Sequence, residues 1–215
     1  MKAMGLQNGS GMSVNRQESP GAIAPSETEP KSGRAHAVIQ AALHALKVGD
    51  LRAACSVVLE YAVKITESQY GFFSVTMEGP FERLLSTQGF RWHETINRKF
   101  YEDAMQSFEK LGYLDFHNMA NLAGRAMTHN ETVLSNSPAE DPRAVGIPPG
   151  HPPLNCFLGT PFRKGGAVVA VIGLANRPRG YSASQEAEVN LLDEAALAIS
   201  EEYHRKRRAV SGTAL

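Results

Sequence analysis

From Asn136 to Pro161 the chain reads Asn-Ser-Pro-Ala-Glu-Asp-Pro-Arg-Ala-Val-Gly-Ile-Pro-Pro-Gly-His-Pro-Pro-Leu-Asn-Cys-Phe-Leu-Gly-Thr-Pro. Proline fixes φ and has no N–H to donate, so a stretch this rich in proline and glycine suits neither a helix nor a sheet interior. It is not low-complexity filler either. It carries Asn136, Asp141, Arg143 and His151 and runs directly into an apolar strand. Long ordered loops between regular elements are uncommon and usually functional. The rest of the fold has to be arranged around this one.

The 215 residues suffice for one globular domain with tails, and 42% hydrophobic against 20% charged residues supports a real core. Lys plus Arg and Asp plus Glu both number 22, so the charge makes no case for nucleic acid or an anionic membrane as a main partner. The longest apolar run, Ala167 to Ala175, contains a glycine and is far shorter than a membrane span. The N-terminus shows no apolar signal-peptide core. Cys55 and Cys156 are too few for a disulfide scaffold or a metal cluster. A cytoplasmic protein with reduced thiols is expected.

Residues 1 to about 33 are rich in Gly, Ser, Pro, Asn and Glu and read as a disordered tail, with Met12 as an alternative start and residues 1–11 as a possible expression leader. The folded domain is expected over 34–208, with a loose tail over 209–215. Ile39, Leu43 and Leu46 mark a first helix, Gly49-Asp50 a stop and a new N-cap, and Leu51, Cys55, Val58, Ala62 and Ile65 the stripe of a second. Gly71 to Glu78 and Phe81 to Thr87 form a hairpin about Gly79-Pro80. A long helix from His93 to Lys110, a short one from Asn121 to Thr128 and a strand at Thr132 to Ser135 lead to the loop. After it, Asn155 to Arg163 is a strand with Cys156, Leu158, Thr160 and Phe162 on one face. Lys164-Gly165-Gly166 turns the chain into Val168 to Asn176, which is apolar on both faces and therefore central. The last helix opens at Ser182, where Ser182 and Gln185 have capping-box spacing, and carries Val189, Leu192, Ala196, Ile199 and Tyr203. Arg205 to Arg208 at its end reads as a solvated basic end that suits the helix dipole. This order implies an α+β domain, with terminal helices on one face of an antiparallel sheet and the short helices and loop covering a pocket on the other.

The pattern Asn136-x-Pro138-x-x-Asp141-Pro142-Arg143-x-x-Gly146-x-Pro148-x-Gly150-His151-Pro-Pro-Leu-x-x-Phe157-Leu-Gly159-x-Pro161 resembles a signature of GAF domains found in bacterial sensor histidine kinases and diguanylate cyclases. Gly173-Leu174-Ala175-Asn176-Arg177-Pro178-x-Gly180-Tyr181 resembles the same subgroup's next motif, and the likeness spans roughly residues 36 to 205. It implies a sensory domain of two-component or related signalling, which binds a small molecule or a partner and relays the change through its terminal helices. It leaves the ligand open, since GAF domains bind cyclic nucleotides, haem, bilins, nitrate and other molecules. A homodimer is expected through apolar residues of the terminal helices, namely Ile39, Leu43, Ala196, Ile199 and Tyr203. With no kinase, cyclase or DNA-binding motif in view, the chain reads as a piece of a longer sensor or a standalone regulator. The alternative is an interaction module with an empty pocket.

Each candidate residue has two readings. Arg143 can hook an anion or carbonyl with Asp141 beside it, or the two can tie the loop together. His151 can ligate haem or a metal, but one histidine without a second at ligand spacing makes a loop-anchoring hydrogen bond the better expectation. Cys156 beside Phe157 does not match the context of bilin-attaching cysteines. Cys55 and Cys156, on a helix stripe and a strand, do not match the loop cysteines of the methionine sulfoxide reductase that shares the fold. Asn176 and Arg177 end the central strand, where Asn176 either reaches a ligand or the loop, or turns the chain before Pro178. Asn136 belongs with them as a pocket or loop-anchor candidate. No nucleophile–base pair is recognisable, so no enzyme is expected.

Overall fold

The computed structural model describes residues 30–79, 81–90, 98–145 and 151–212. Gly49, at φ +85°, follows the end of α1 (Lys31–Lys47). The Asp50 carboxylate then accepts the Ala53 N–H at 2.9 Å and starts α2 (Leu51–Ile65). The next elements are β1 (Tyr70–Met77), β2 (Phe81–Gln88), α3 (Arg98–Leu111), β3 (Leu114–Phe116), α4 (Leu122–Thr128) and β4 (Val133–Ser135). After the proline-rich loop come β5 (Phe157–Lys164), β6 (Ala167–Ala175), α5 (Ala183–Asn190) and α6 (Asp193–Gly212).

The six strands form one antiparallel sheet in the order β3-β2-β1-β6-β5-β4. The chain runs outward to β3, crosses over, and returns through β6 to the centre. The continuous apolar run of β6 fits that place. Its Ala170, Ile172 and Leu174 join a core with Phe73 and Val75 of β1, Leu158 and Phe162 of β5, Val58 and Leu59 of α2, and Leu192, Ala196 and Ile199 near and in α6. Val171 points the other way, into a second core with Leu122, Ala126 and Met127 of α4, Val133 and Phe157. Each large side chain buried this fully contributes roughly 1.5–3 kcal/mol.

The sheet, the hairpins, the α+β class and the covering of both faces agree with the sequence reading. Four details differ. The strand β3 was not expected, because three residues paired along one edge are too few to show an alternation. The last helix is two helices, since Leu192 donates to the Val189 carbonyl in a tight turn and re-phases the chain so that Leu192, Ala195, Ala196 and Ile199 are all buried. Helical structure also covers residues 31–33 and 209–212, which were expected in tails, because α1 starts directly after Pro30 and α6 continues through its basic end. Finally, Ile39, Ala196 and Ile199 are buried in the chain's own core, so they offer no surface to a second copy; Leu43 and Tyr203 are half-buried against it. The expected tail over residues 1–29 and the helix start over 93–97 lie outside the described residues.

Candidate functional site

The side chains of Tyr70 and Phe72 on β1, Glu82 and Leu84 on β2, and Leu114 and Phe116 on β3 share the sheet face opposite α1, α2 and α6. Facing them are Asn118, Asn121, Leu122 and Ala123 around the start of α4, and Pro138, Ala139, Ala144, Val145, His151 and Leu154 of the proline-rich loop. Phe90 after β2, Phe108 of α3 and Phe157 of β5 complete the walls. Together they line a cavity of about 790 Å³, a size typical of small-molecule sites. The loop does cover a pocket, as its position between strand and strand suggested.

Two glycines shape the floor. A Cβ on Gly173 would lie 2.2 Å from the Phe72 ring, and one on Gly159 would lie 2.8 Å from the Phe157 ring. These residues face each other across β5 and β6. Their missing side chains let both rings lie against the strands.

The polar content of the cavity is sparse and specific. Glu82 is buried in register between Thr76 of β1 and Phe116 of β3, and its Oε1 has no hydrogen-bond partner among the described residues. Burial pushes its carboxyl up to about 7, and a hydrogen bond from the Ser74 hydroxyl only partly opposes this. His151 is edge-on to both Tyr70 and Phe90, with centroids 6.2 and 5.4 Å away, and its Nδ1 lies 2.7 Å from the Pro152 carbonyl. Burial lowers its pKa. The Tyr70 hydroxyl donates to the Pro153 carbonyl at 3.1 Å and ties the loop to β1. No lysine or arginine is among the described lining residues.

Of the polar and pocket candidates read from the sequence, His151 and Phe157 are among the described lining residues, while Asn136, Asp141, Arg143, Asn176 and Arg177 make hydrogen bonds around the cavity. Arg143 donates to both Asp141 oxygens at 2.9 and 2.7 Å and to the Leu134 carbonyl at 2.8 Å, so loop and β4 are clasped together. That guanidinium holds the Asp141 carboxyl well below the usual carboxylate range. Asn136 accepts the Tyr181 N–H at 2.8 Å and donates to the Tyr181 carbonyl at 3.0 Å, fastening the start of the loop to the chain before α5. Asn176 has a left-handed φ of 60°, which ends the extended backbone of β6. Its side chain accepts the Asn155 N–H at 2.8 Å and donates to the Pro153 carbonyl at 2.7 Å and to Gln69 at 2.8 Å. It therefore turns the chain and holds the loop at once. Arg177 donates to the Gly180 carbonyl at 3.0 Å and to Glu67 at 3.1 Å.

Neither thiol reaches the cavity. Cys55 is packed in the helix-side core, where burial pushes its thiol up to about 12. Cys156 lies in the same core, its Sγ donating to the Arg177 carbonyl at 3.4 Å, a position that does not fit bilin attachment. Among the described residues no group of three His, Cys, Asp or Glu could hold a metal ion, and no helix is long and apolar enough to cross a membrane. Sequence reasoning missed Glu82, Phe72 and the β3 pair Leu114 and Phe116. The signal for Glu82 was present: in Phe81-Glu82-Arg83-Leu84 the alternation puts the carboxylate on the face of Leu84.

A family model described as GAF domain matches residues 49–200. The fold is similar to the GAF domain of a phosphoenolpyruvate-protein phosphotransferase from Acinetobacter, at TM-score 0.58 and 16% identity over 79% of this chain and 92% of that one. The corresponding domain from Coxiella burnetii gives TM-score 0.59 and 14% identity over 84% and 98%. The free methionine-R-sulfoxide reductase from Neisseria meningitidis, solved with its substrate, gives TM-score 0.56 and 12% identity over 85% and 96%. A comparison with the curated proteins finds no match to this sequence.

Proposed function

Since the chain belongs to the GAF domain family, a regulatory small-molecule-binding fold, we propose that it is a cytoplasmic sensory domain of bacterial signal transduction, of the kind joined to sensor histidine kinases and diguanylate cyclases. A small molecule occupies the cavity beneath the 136–161 loop and changes the packing of β2, β3 and α4. The observation that carries this reading is the largely apolar cavity covered by a loop that is bonded at Arg143 to the Leu134 carbonyl and at Pro153 to Tyr70 and Asn176. The domain is regulatory, and no reaction is assigned to it.

The relay runs through the sheet. Arg83 follows Glu82 on β2 but leaves the opposite face, where its guanidinium lies 3.6 Å over the Tyr113 ring and donates to the Tyr203 hydroxyl of α6 at 2.7 Å. A shift of β2 therefore reaches a terminal helix in one residue. A second copy or an output partner docks on the exposed faces of α1 and α6, rather than on the buried Ile39, Ala196 and Ile199.

Thermal-shift screening of the full chain against nucleotides, haem, small anions and organic amines tests the reading. At least one compound is expected to raise the midpoint by several degrees at saturation, because binding to the native state alone stabilises it. No stabilisation across the panel favours an interaction module with an empty cavity.

A further inference from the structure

We propose that Glu82 is the recognition group of the cavity, and that the ligand it selects is an organic amine with an apolar, aromatic body. The inference rests on the reading of the cavity as a small-molecule site and adds the chemical class of its occupant.

Three observations carry it. First, Glu82 is 3% exposed, lines the cavity, and keeps an Oε1 that nothing described in the chain satisfies. Buried polar atoms are rarely left unpaired, and an orphan acceptor at a binding site marks the place of a donor that arrives with the ligand. Second, the other groups near it cannot supply a counter-charge. Ser74 offers a hydroxyl, and Thr76 stands opposite on β1 with its own Oγ1 unpaired. Thr87, Asn118, Asn121, Tyr70 and His151 are the remaining polar or titratable residues among the described walls, and burial favours the neutral form of the His151 ring. Arg83 and Asp115 flank it in sequence and register but pair with each other at 2.6 Å on the opposite face. Third, the walls are aromatic: Phe72, Phe90, Phe108, Phe116 and Phe157 surround a space with no described lysine or arginine. Rings of this kind favour flat apolar bodies and attract cations to their faces. An anionic ligand would meet a carboxylate and no described positive charge. A protonated amine meets a buried carboxylate that it ionises and pairs, and burial strengthens such a bond.

Isothermal titration of the full chain with three compounds sharing an indole body tests this: tryptamine, neutral 3-propylindole and indole-3-propionate. Tryptamine is expected to bind about tenfold or more tighter than the neutral compound, the ratio typical of a charged hydrogen bond, and the acid weakest of all. Glu82→Gln keeps the side-chain shape, so the preference for tryptamine over 3-propylindole should disappear in that variant. A cooperative urea-unfolding transition reports that the variant is folded. Equal binding of the three compounds, preference for the acid, or an intact amine preference in Glu82→Gln overturns the inference. If the indoles fail but the thermal-shift panel finds an anion or nucleotide, the inference falls and the sensory reading stands. Silence in both assays removes both.

Discussion

Glu82 and Arg83 are consecutive on β2, yet one carboxyl faces the cavity and the other side chain's guanidinium bonds the Tyr203 hydroxyl of α6 on the far side of the sheet. Strand alternation makes this unavoidable. It places the group best suited to sense a ligand one peptide bond from the group that grips a terminal helix.

That grip can be tested by itself. Arg83 also forms a bidentate pair with Asp115, both contacts at 2.6 Å, and stacks on Tyr113. Arg83→Met removes all three contacts and is expected to lower stability by about 1–3 kcal/mol in urea unfolding. Tyr203→Phe removes only one hydroxyl and should cost about 1 kcal/mol or less. Equal effects of the two variants would show that Arg83 does not hold the β2–β3 edge.

The Glu82 carboxyl predicts a pH dependence whose sign is fixed. Its pKa is higher folded than unfolded, at about 7 against 4.5. The folded state therefore binds the extra proton, and stability is greatest below the unfolded value, falls as pH rises toward 7 and levels off above it. The swing attributable to this group is on the order of 3 kcal/mol. Urea unfolding between pH 5 and 8 should show Glu82→Gln gaining on the native chain as pH rises, a comparison that cancels His151 and His204. A constant difference between the two would contradict the burial argument.

Gly173 is the residue that keeps the Phe72 ring flat on the strand. Gly173→Ala would put a Cβ 2.2 Å from that ring and is expected to destabilise by about 1–3 kcal/mol as the ring is forced away. Adding Phe72→Leu should recover part of that loss, a positive coupling readable in a double-mutant cycle. Simple additivity of the two changes would refute the contact.

Asn136 clasps the start of the loop to Tyr181. Asn136→Ala leaves the Tyr181 N–H and carbonyl without their partner and should cost about 1–3 kcal/mol, with the melting midpoint falling several degrees. Gly180 beside it has φ +71°, and a Cβ there would lie 2.7 Å from Asn136 Oδ1. Gly180→Ala should therefore be at least as damaging, and tolerance of both changes would mean the loop is held elsewhere.

Much of this fold is readable from the chain because long elements carry strong periodicities. Of the α2 stripe, Cys55, Val58 and Ala62 are buried as read while Leu51 and Ile65 at its ends are half-buried, and the apolar run of β6 and the capping box at Ser182 survive intact. The proline-rich loop also reads correctly as the cover of a pocket. What the sequence hides is lateral placement. β3 has three residues, and without it β2 seems to end the sheet, so the alternation that puts Glu82 on the face of Leu84 does not reveal that the position is buried. The polar residues of the loop draw the eye by their composition, but Asp141, Arg143 and Asn136 hydrogen-bond to backbone and to one another, as Asn176 after β6 does to backbone and Gln69. The recognition chemistry instead sits in a strand, where a single buried carboxylate looks like an ordinary surface residue until its neighbours are known.

The central claim is that a small molecule binds under the loop and is felt at α6. Backbone amide NMR of the full chain, titrated with tryptamine, tests both halves in one experiment. The account predicts shifts clustered at Phe72, Glu82, Leu84, Leu114 and Leu154, together with smaller shifts around Arg83 and Tyr203 that vanish in Glu82→Gln. A spectrum in which the cavity residues stay still while tryptamine saturates the protein elsewhere would contradict it.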